Sequence, residues 1–253
     1  MFSRAIVRRP AKSLVNGLTS ANLGKPDYEN ALIQHEGYIN ALIRCGLEVT
    51  ILDALEDFPD STFVEDVALL TPHCAIVTNP GAASRNGENA FIKPALEKFY
   101  QQIEIIKSPG TVEAGDIMMV GSHFYIGLSE RTNKSGAEQM IALLKKHGLT
   151  GSIVNLKEFL HLKTGINYLE NNNMLASGEF LTKSEFQQFN LTEIDTDEAY
   201  AANSLWINNK VLTPKGFPKT RQKIESLGYE IIEVDVSEFE KLDGGLSCLS
   251  LRF

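Results

Sequence analysis

Cys248, His161, Glu113 and the adjacent pair Glu65-Asp66 are the residues of this chain whose types could together carry nucleophilic catalysis. A thiol attacks as its thiolate, an imidazole can give and take a proton, and carboxylates hold an imidazolium charged. The other histidines sit in less eventful places. His35 lies inside an apolar-periodic helical stretch, His73 and His123 fall at hairpin turns, and His147 ends a helix near the negative pole of its dipole. Only His161 stands at the mouth of a predicted strand. Among the thiols, Cys45 closes a helix before Gly46 and Cys74 is flanked by apolar strand residues, both patterns of a small buried hydrophobe. Cys248 follows Asp243-Gly244-Gly245-Leu246-Ser247, where glycines widen the allowed backbone conformations and leave room for a ligand. On this segment alone, a core cysteine in a terminal strand fits as well.

The elements that would position these groups form a repeat. One copy opens at Asp66: a strand Val67 to Leu70, a turn at Thr71-Pro72-His73, a returning strand Cys74 to Thr78, a helix near Glu88 to Gln101, and a strand Ile103 to Ile106. The next opens at Asp116, turns at Gly121-Ser122-His123, returns through Phe124 to Leu128, and continues with a helix Ser135 to His147 capped by Gly148 and a strand Ser152 to Leu156. Further copies open at Gly165, with a turn at Glu170-Asn171-Asn172, and at Asn203, with a turn at Asn208-Asn209 and a helix Lys219 to Leu227. The spacings are 50, 49 and 38 residues. The N-terminus supplies a strand Ala5 to Val7, a helix Asp27 to Cys45 and a strand Glu48 to Leu52. Its missing strand can come from Cys248 to Leu251.

Five ββαβ units closed end to end predict an α/β fold of one domain, residues 1–253, arranged as a five-bladed propeller. A doubly wound parallel sheet fits the tight hairpins poorly, because parallel neighbours need long crossovers. A closed ring gathers equivalent strand starts about one axis. Glu113 stands three residues before Asp116 and His161 four before Gly165, while Glu65-Asp66 and Cys248 open strands. Carboxylates, imidazole and thiol are therefore expected to face one central pocket.

Composition narrows the partners. With 43% hydrophobic and 22% charged residues among 253, the chain can bury an ordinary globular core. A net charge of −8 argues against nucleic acid or an anionic membrane and suits a small cation. No apolar run is long enough for a membrane span or a signal peptide. Three cysteines without a CxxC spacing speak against a disulfide framework or structural zinc, so a cytoplasmic setting is expected. There is no GxGxxG, no P-loop and no HExxH, so no cofactor and no metal are expected.

In order along the chain, Ser3 to Arg8, Asp60-Ser61-Thr62-Phe63-Val64-Glu65-Asp66, Asn79-Pro80-Gly81-Ala82-Ala83-Ser84-Arg85, Glu113-Ala114-Gly115-Asp116, Gly127 to Asn133, His161-Leu162-Lys163 and Ser247-Cys248 form a specific set. Over nearly its whole length the sequence resembles the dimethylarginine dimethylaminohydrolases of the guanidino-group-modifying superfamily. The resemblance implies a five-bladed α/β propeller, with Cys248 as nucleophile, His161 as acid and base, and Glu113 orienting the histidine. It implies that Asp66 and Glu65 face the guanidinium nitrogens, that Arg85 and Arg131 hold the substrate α-carboxylate, and that Asp60 takes the α-ammonium, helped by the backbone carbonyls of Leu18 and Leu242. The expected reaction is hydrolysis of mono- or asymmetric dimethylarginine to citrulline and an amine; the alternative is an arginine deiminase. A catalytically idle guanidinium-binding protein and an amidinotransferase are further readings, the latter needing an acceptor amine. Ala114-Gly115 replaces the glycine pair common in relatives. Lys163 stands where deiminases carry an aspartate that grips the second, unsubstituted guanidinium nitrogen. A lysine cannot accept from that nitrogen, which favours a methylated substrate. Relatives often pair, so a homodimer is expected.

Overall fold

Tight turns set the repeat. Asn208 and Asn209, at φ of 49° and 70°, both lie in the left-handed region that asparagine tolerates, the geometry of a two-residue hairpin turn. They pin Leu205–Ile207 antiparallel to Lys210–Pro214, which then runs parallel to Glu230–Val234. The computed structural model describes residues 1–253, and the same three-stranded pattern occurs five times. Ala68–Leu70, Ala75–Val77 and Ile103–Ile105 form one sheet. Ile117–Val120, His123–Leu128 and Thr150–Asn155 form the next, and Ile166–Tyr168, Asn173–Ala176 and Asn190–Glu193 a third. The ends complete the remaining sheet: Leu251–Arg252 lies antiparallel to Arg4–Arg8, which runs parallel to Glu48–Leu52. Five small sheets in pseudo-fivefold order match the propeller expected from the repeat.

Helices pack on the outside of this ring where sequence allows. Tyr28–Arg44 buries Ala31, His35, Tyr38, Ala41 and Leu42, a three-and-four spacing that makes one face apolar. Asp27 starts it by accepting from the Asn30 amide. Each fully buried leucine-sized side chain on that face is worth about 1.5–3 kcal/mol. Tyr38 also ties the helix to the chain's end, donating to the Leu246 carbonyl at 2.9 Å and sharing a hydrogen bond with Ser250. Lys134–Lys146 and Pro218–Ser226 repeat the arrangement. The helix expected over Glu88 to Gln101 is instead a 3-10 turn, Glu88–Phe91, and one α-turn, Lys93–Leu96. Pro94 fits a first turn but lacks the amide that a longer helix through it would use.

The segments leading into the blades decide the site. Each first strand is preceded by a short helical turn: Val64–Val67, Ala114–Asp116, Leu162–Gly165, Thr196–Ala202 and Ser247–Leu249. Sequence periodicity had suggested strands opening directly at these places; Cys248 in particular lies in such a turn, and the strand begins only at Leu251. Neighbouring turns touch around the axis. The ring closes where Asn203 accepts from the Ser247 amide at 2.9 Å and donates to its hydroxyl at 3.0 Å.

Candidate active site

Four of these turns deliver the candidate groups. His161 precedes its turn in extended conformation, and its Nε2 lies 2.9 Å from Glu113 Oε2. The other oxygen of Glu113 accepts from the Ala82 amide at 3.0 Å. Asp66 accepts from the Gly115 amide at 3.0 Å and from Arg85 Nη1 at 2.7 Å. Gly115 is required by space: a Cβ there would stand 2.9 Å from both Asp66 Oδ1 and His161 Nδ1. Cys248, Asp66, Glu113 and His161 all line one cavity of about 230 Å³ and are nearly or fully withdrawn from solvent.

Burial and charge set the protonation states. Burial opposes charge on His161, but Asp116, the hydrogen bond to Glu113, and Asp66 outweigh it and carry the imidazole up to about 9. Burial likewise opposes ionisation of Glu113, yet the His161 hydrogen bond and charge, Arg85 and the Ala82 amide hold it down at about 2. For Cys248 the terms add. Burial first, then Asp66 and Glu65, push the thiol up to about 12, against smaller opposing effects of the Gly245 backbone and Lys163. These directions favour a neutral thiol and a protonated imidazole in the resting cavity. Cys45 and Cys74, which line neither large cavity, are buried thiols raised chiefly by desolvation, as inert core cysteines should be. Asp66, Glu113 and His161 also offer ligand atoms within 4.8 Å of one another. Each already has protein partners.

The remaining expected residues divide. Leu18, Asp60, Arg85, Arg131 and Leu242 line the same cavity. Asp60 accepts from the Leu18 amide at 3.0 Å, and burial raises it to about 6 against the pull of Arg85 and that amide. Arg131 is half-buried, with no carboxylate paired to its guanidinium. Arg85 differs from the free arginine expected. Its Nε and Nη2 bind Glu88 at 2.7 Å each, Nη2 also reaches the Phe63 carbonyl, and Nη1 holds Asp66, so four of its five N–H groups are spent. Glu65 differs too. It lines a second cavity with Lys163 and Arg252, and its Oε1 takes both, at 2.5 and 3.1 Å. Only Oε2, buried and without a partner, is left to accept from a ligand. Leu246 aside, the approach to Cys248 is also explained differently. Gly244 and Gly245 have ordinary φ; a Cβ would strike the Phe63 ring at 2.1 Å or the Asn203 amide at 2.5 Å, and the left-handed residue is Asp243. The glycines are thus required by packing of the turn, and Gly244 also lines the cavity of Cys248.

Several residues were missed by sequence reasoning. Glu88 fixes Arg85 by a bidentate pair three residues on, a spacing that could have suggested it. Phe63 and Asp243 also line the cavity, and Asp243 clasps the Ser20 amide and hydroxyl at 2.5 and 3.0 Å.

A buried cysteine, histidine and glutamate come together in a five-bladed α/β propeller, a constellation of the type that thiol-dependent enzymes of this class use. A family model described as N,N dimethylarginine dimethylhydrolase, eukaryotic, matches residues 20–250. The dimethylarginine dimethylaminohydrolase of Pseudomonas aeruginosa is 60% identical, with all of both chains covered. That of Streptomyces coelicolor is 33% identical over 98% of this chain and 96% of its own. A solved structure of a cysteine-to-serine mutant of the P. aeruginosa protein, complexed with citrulline, superposes with a TM-score of 0.99 at 59% identity over the whole of both chains. The N-terminal domain of ArgZ, a cyanobacterial arginine dihydrolase, shares the fold at 17% identity, with a TM-score of 0.88 over 98% and 97% of the two chains. This chain belongs to the dimethylarginine dimethylaminohydrolase family.

Proposed function

We propose that this protein, acting as a single domain over residues 1–253, hydrolyses Nω-mono- or asymmetric dimethylarginine to citrulline and methylamine or dimethylamine. The observation that carries the proposal is His161 held by Glu113 at 2.9 Å in a cavity that also contains Cys248 and the carboxylate of Asp66. A substrate guanidinium held by Asp66 brings a positive charge against the two carboxylates, Asp66 and the nearby Glu65, that keep the thiol protonated. The thiol then releases its proton to solvent and attacks the guanidinium carbon. His161, charged at rest, gives its proton to the substituted nitrogen as the carbon–nitrogen bond breaks, and the amine departs neutral or picks up a proton outside. That step leaves a Cys248 thiouronium and a neutral imidazole. Water loses a proton to His161 and attacks the same carbon; the thiolate is expelled as the carbon–sulfur bond breaks, the hydroxyl gives up its remaining proton, which the thiolate takes back, and citrulline forms.

Arg131, with its unpaired guanidinium, holds the α-carboxylate, and Arg85 lends its one remaining N–H while fixing Asp66. Asp60 and the Leu18 and Leu242 carbonyls take the α-ammonium, whose charge favours ionised Asp60. Lys163 supports a methylated substrate: its ammonium on Glu65 stands in the motif where a deiminase would present an acceptor to a bare nitrogen. The named relatives of high identity support the same reading. A cytoplasmic setting, in keeping with three unpaired thiols, and a homodimer belong to this proposal as well. No helix is long and apolar enough to cross a membrane.

Citrulline formation from asymmetric dimethylarginine and from arginine at equal concentration tests the reading. Faster turnover of the methylated substrate, with dimethylamine released and with all turnover lost in Cys248→Ser, is the expected result. Preference for arginine would move the chain to deiminase chemistry; unimpaired Cys248→Ser would overturn the mechanism.

A further inference from the structure

Asp116 is completely buried, charged in type, and used by none of the steps above. Both of its oxygens are taken. Oδ1 accepts from the Leu162 amide at 3.0 Å, the peptide group directly after His161. Oδ2 accepts from the Ser129 hydroxyl at 2.7 Å. Ser129 Oγ in turn accepts from the amides of Arg131 at 3.0 Å and Thr132 at 3.2 Å, and Thr132 Oγ1 accepts from the Glu113 amide at 3.2 Å. One carboxylate thus joins three loops: the turn carrying Glu113, the segment carrying Arg131 and the start of the His161 turn. The surroundings are shaped for it. A Cβ on Gly127 would stand 3.1 Å from Asp116 Oδ1 and 3.1 Å from the Leu162 Cβ, so the strand carries a glycine where the carboxylate passes.

We infer that Asp116 is a positioning residue that sets the acid–base histidine and the carboxylate-binding arginine in one fixed relation, so that a substrate gripped at Arg131 presents its far end to His161. The inference rests on the proposed hydrolysis for its kinetic consequence and on geometry for the rest. Burial disfavours ionised Asp116, while His161 and Ser129 favour it, and Asp116 is in turn the strongest of the charges holding His161 protonated. The other charged or titratable groups facing His161 are Glu113 from the same turn, Asp66 from the Val64–Val67 turn and Cys248 from the closing turn, with Arg85 behind Asp66 and Glu113. Asp116 therefore acts on His161 both by its field and by anchoring the next peptide group. It touches no substrate atom.

The test compares Asp116→Asn and Ser129→Ala in the full-length protein, by NMR titration of the His161 ring and by citrulline formation from asymmetric dimethylarginine. Asparagine keeps the shape, removes the charge and gives up one acceptor. The His161 midpoint in Asp116→Asn should fall from about 9 toward the ordinary histidine value, and kcat should fall about 100-fold, the low end of what a positioned acid–base group contributes. Ser129→Ala keeps the Asp116 charge but cuts the links to the Arg131 and Thr132 amides; it should raise KM, leave kcat within about twofold and move the His161 midpoint far less than Asp116→Asn does. A purely structural Asp116 would lower the melting temperature without moving the His161 midpoint, and that result overturns the inference. Should Asp116→Asn not fold, Ser129→Ala decides: an unchanged KM refutes the coupling. Absence of citrulline from the wild-type protein would refute the proposed hydrolysis, whereas the titration needs no turnover and judges Asp116 separately.

Discussion

Cys248 should be unreactive until a guanidinium arrives, and the size of the effect follows from the site. Raising the thiol from its ordinary 9 to about 12 corresponds to about 4 kcal/mol against the thiolate, and at pH 7.5 it leaves roughly one thiol in 30,000 ionised. A guanidinium about 4 Å from sulfur, at an effective dielectric near 20, returns about 4 kcal/mol. The two magnitudes match, so a bound cation suffices to bring the thiol into the working range while an empty site does not. The assay is alkylation of Cys248 by iodoacetamide, a neutral reagent that reports thiolate, followed from pH 6 to 10 and read at that cysteine by peptide mass. Without ligand the rate should keep rising past pH 8 with no plateau. Asp66→Asn removes the charge that, after burial, raises the thiol most, so alkylation at fixed pH should quicken even as substrate affinity falls. A plateau with its midpoint at or below pH 7 in the unliganded wild type would refute the reasoning, because it would mean a resting thiolate–imidazolium pair.

Four other outcomes follow from the same contacts. Glu113→Gln should lower the His161 midpoint from about 9 and reduce kcat/KM about 10²–10⁴-fold, as expected when an acid–base group loses its orienting partner. The same pair fixes a stability window. His161, raised when folded, stabilises fully below its unfolded value near 6.5 and loses this as pH rises through 9; Glu113, depressed when folded, stabilises fully above about 4.5 and loses this as pH falls through 2. The melting-temperature gap between wild type and Glu113→Gln should accordingly be widest between pH 4.5 and 6.5 and shrink above 9. Arg131→Ala should raise KM by about 10–100-fold with kcat little changed, the size of a lost charged hydrogen-bond pair, as measured by steady-state kinetics. Gly115→Ala should lower kcat and stability together, since its Cβ would press on both Asp66 and His161 at 2.9 Å; normal kinetics and melting in that variant would contradict the packing.

The ring was legible because its turns announce themselves. Asn208-Asn209 and Glu170-Asn171-Asn172, all at positive φ, end hairpins whose alternating strands have a clear period, and Gly148 and Gly228 stop helices where helices exist. Where the repeat is carried by packing instead of local propensity, reading failed. The helix expected after Glu88 dissolves into turns around Pro94, and the third unit spans the same gap with the 3-10 turns Gly178–Leu181 and Ser184–Phe186. A three-residue turn has no periodicity to detect, so the turns at the blade openings were invisible, although residue spacing still located Glu113, His161 and Cys248. The partners of Arg85 were hidden for another reason. Whether an arginine is free depends on long-range placement of Asp66 and the Phe63 carbonyl, which no local pattern records.

Those short turns also explain how neighbouring carboxylates serve different cavities. Glu65 and Asp66 are consecutive in one 3-10 turn, so their side chains diverge by about 120° instead of sharing a face. Asp66 enters the cavity of Cys248 and His161, while Glu65 reaches Lys163 and Arg252 in the second cavity. A strand opening at this point would also have sent alternate residues apart, but fully across the sheet, taking one of them out of the axis. The turn keeps both near it, and both contribute to the field that holds Cys248 protonated. Lys163 tempers that field from the far side through Glu65 Oε1. Lys163 therefore acts on the nucleophile's charge: an aspartate at that position would add a third carboxylate where the structure has a cation, and would push the thiol still further from ionisation until substrate charge arrived.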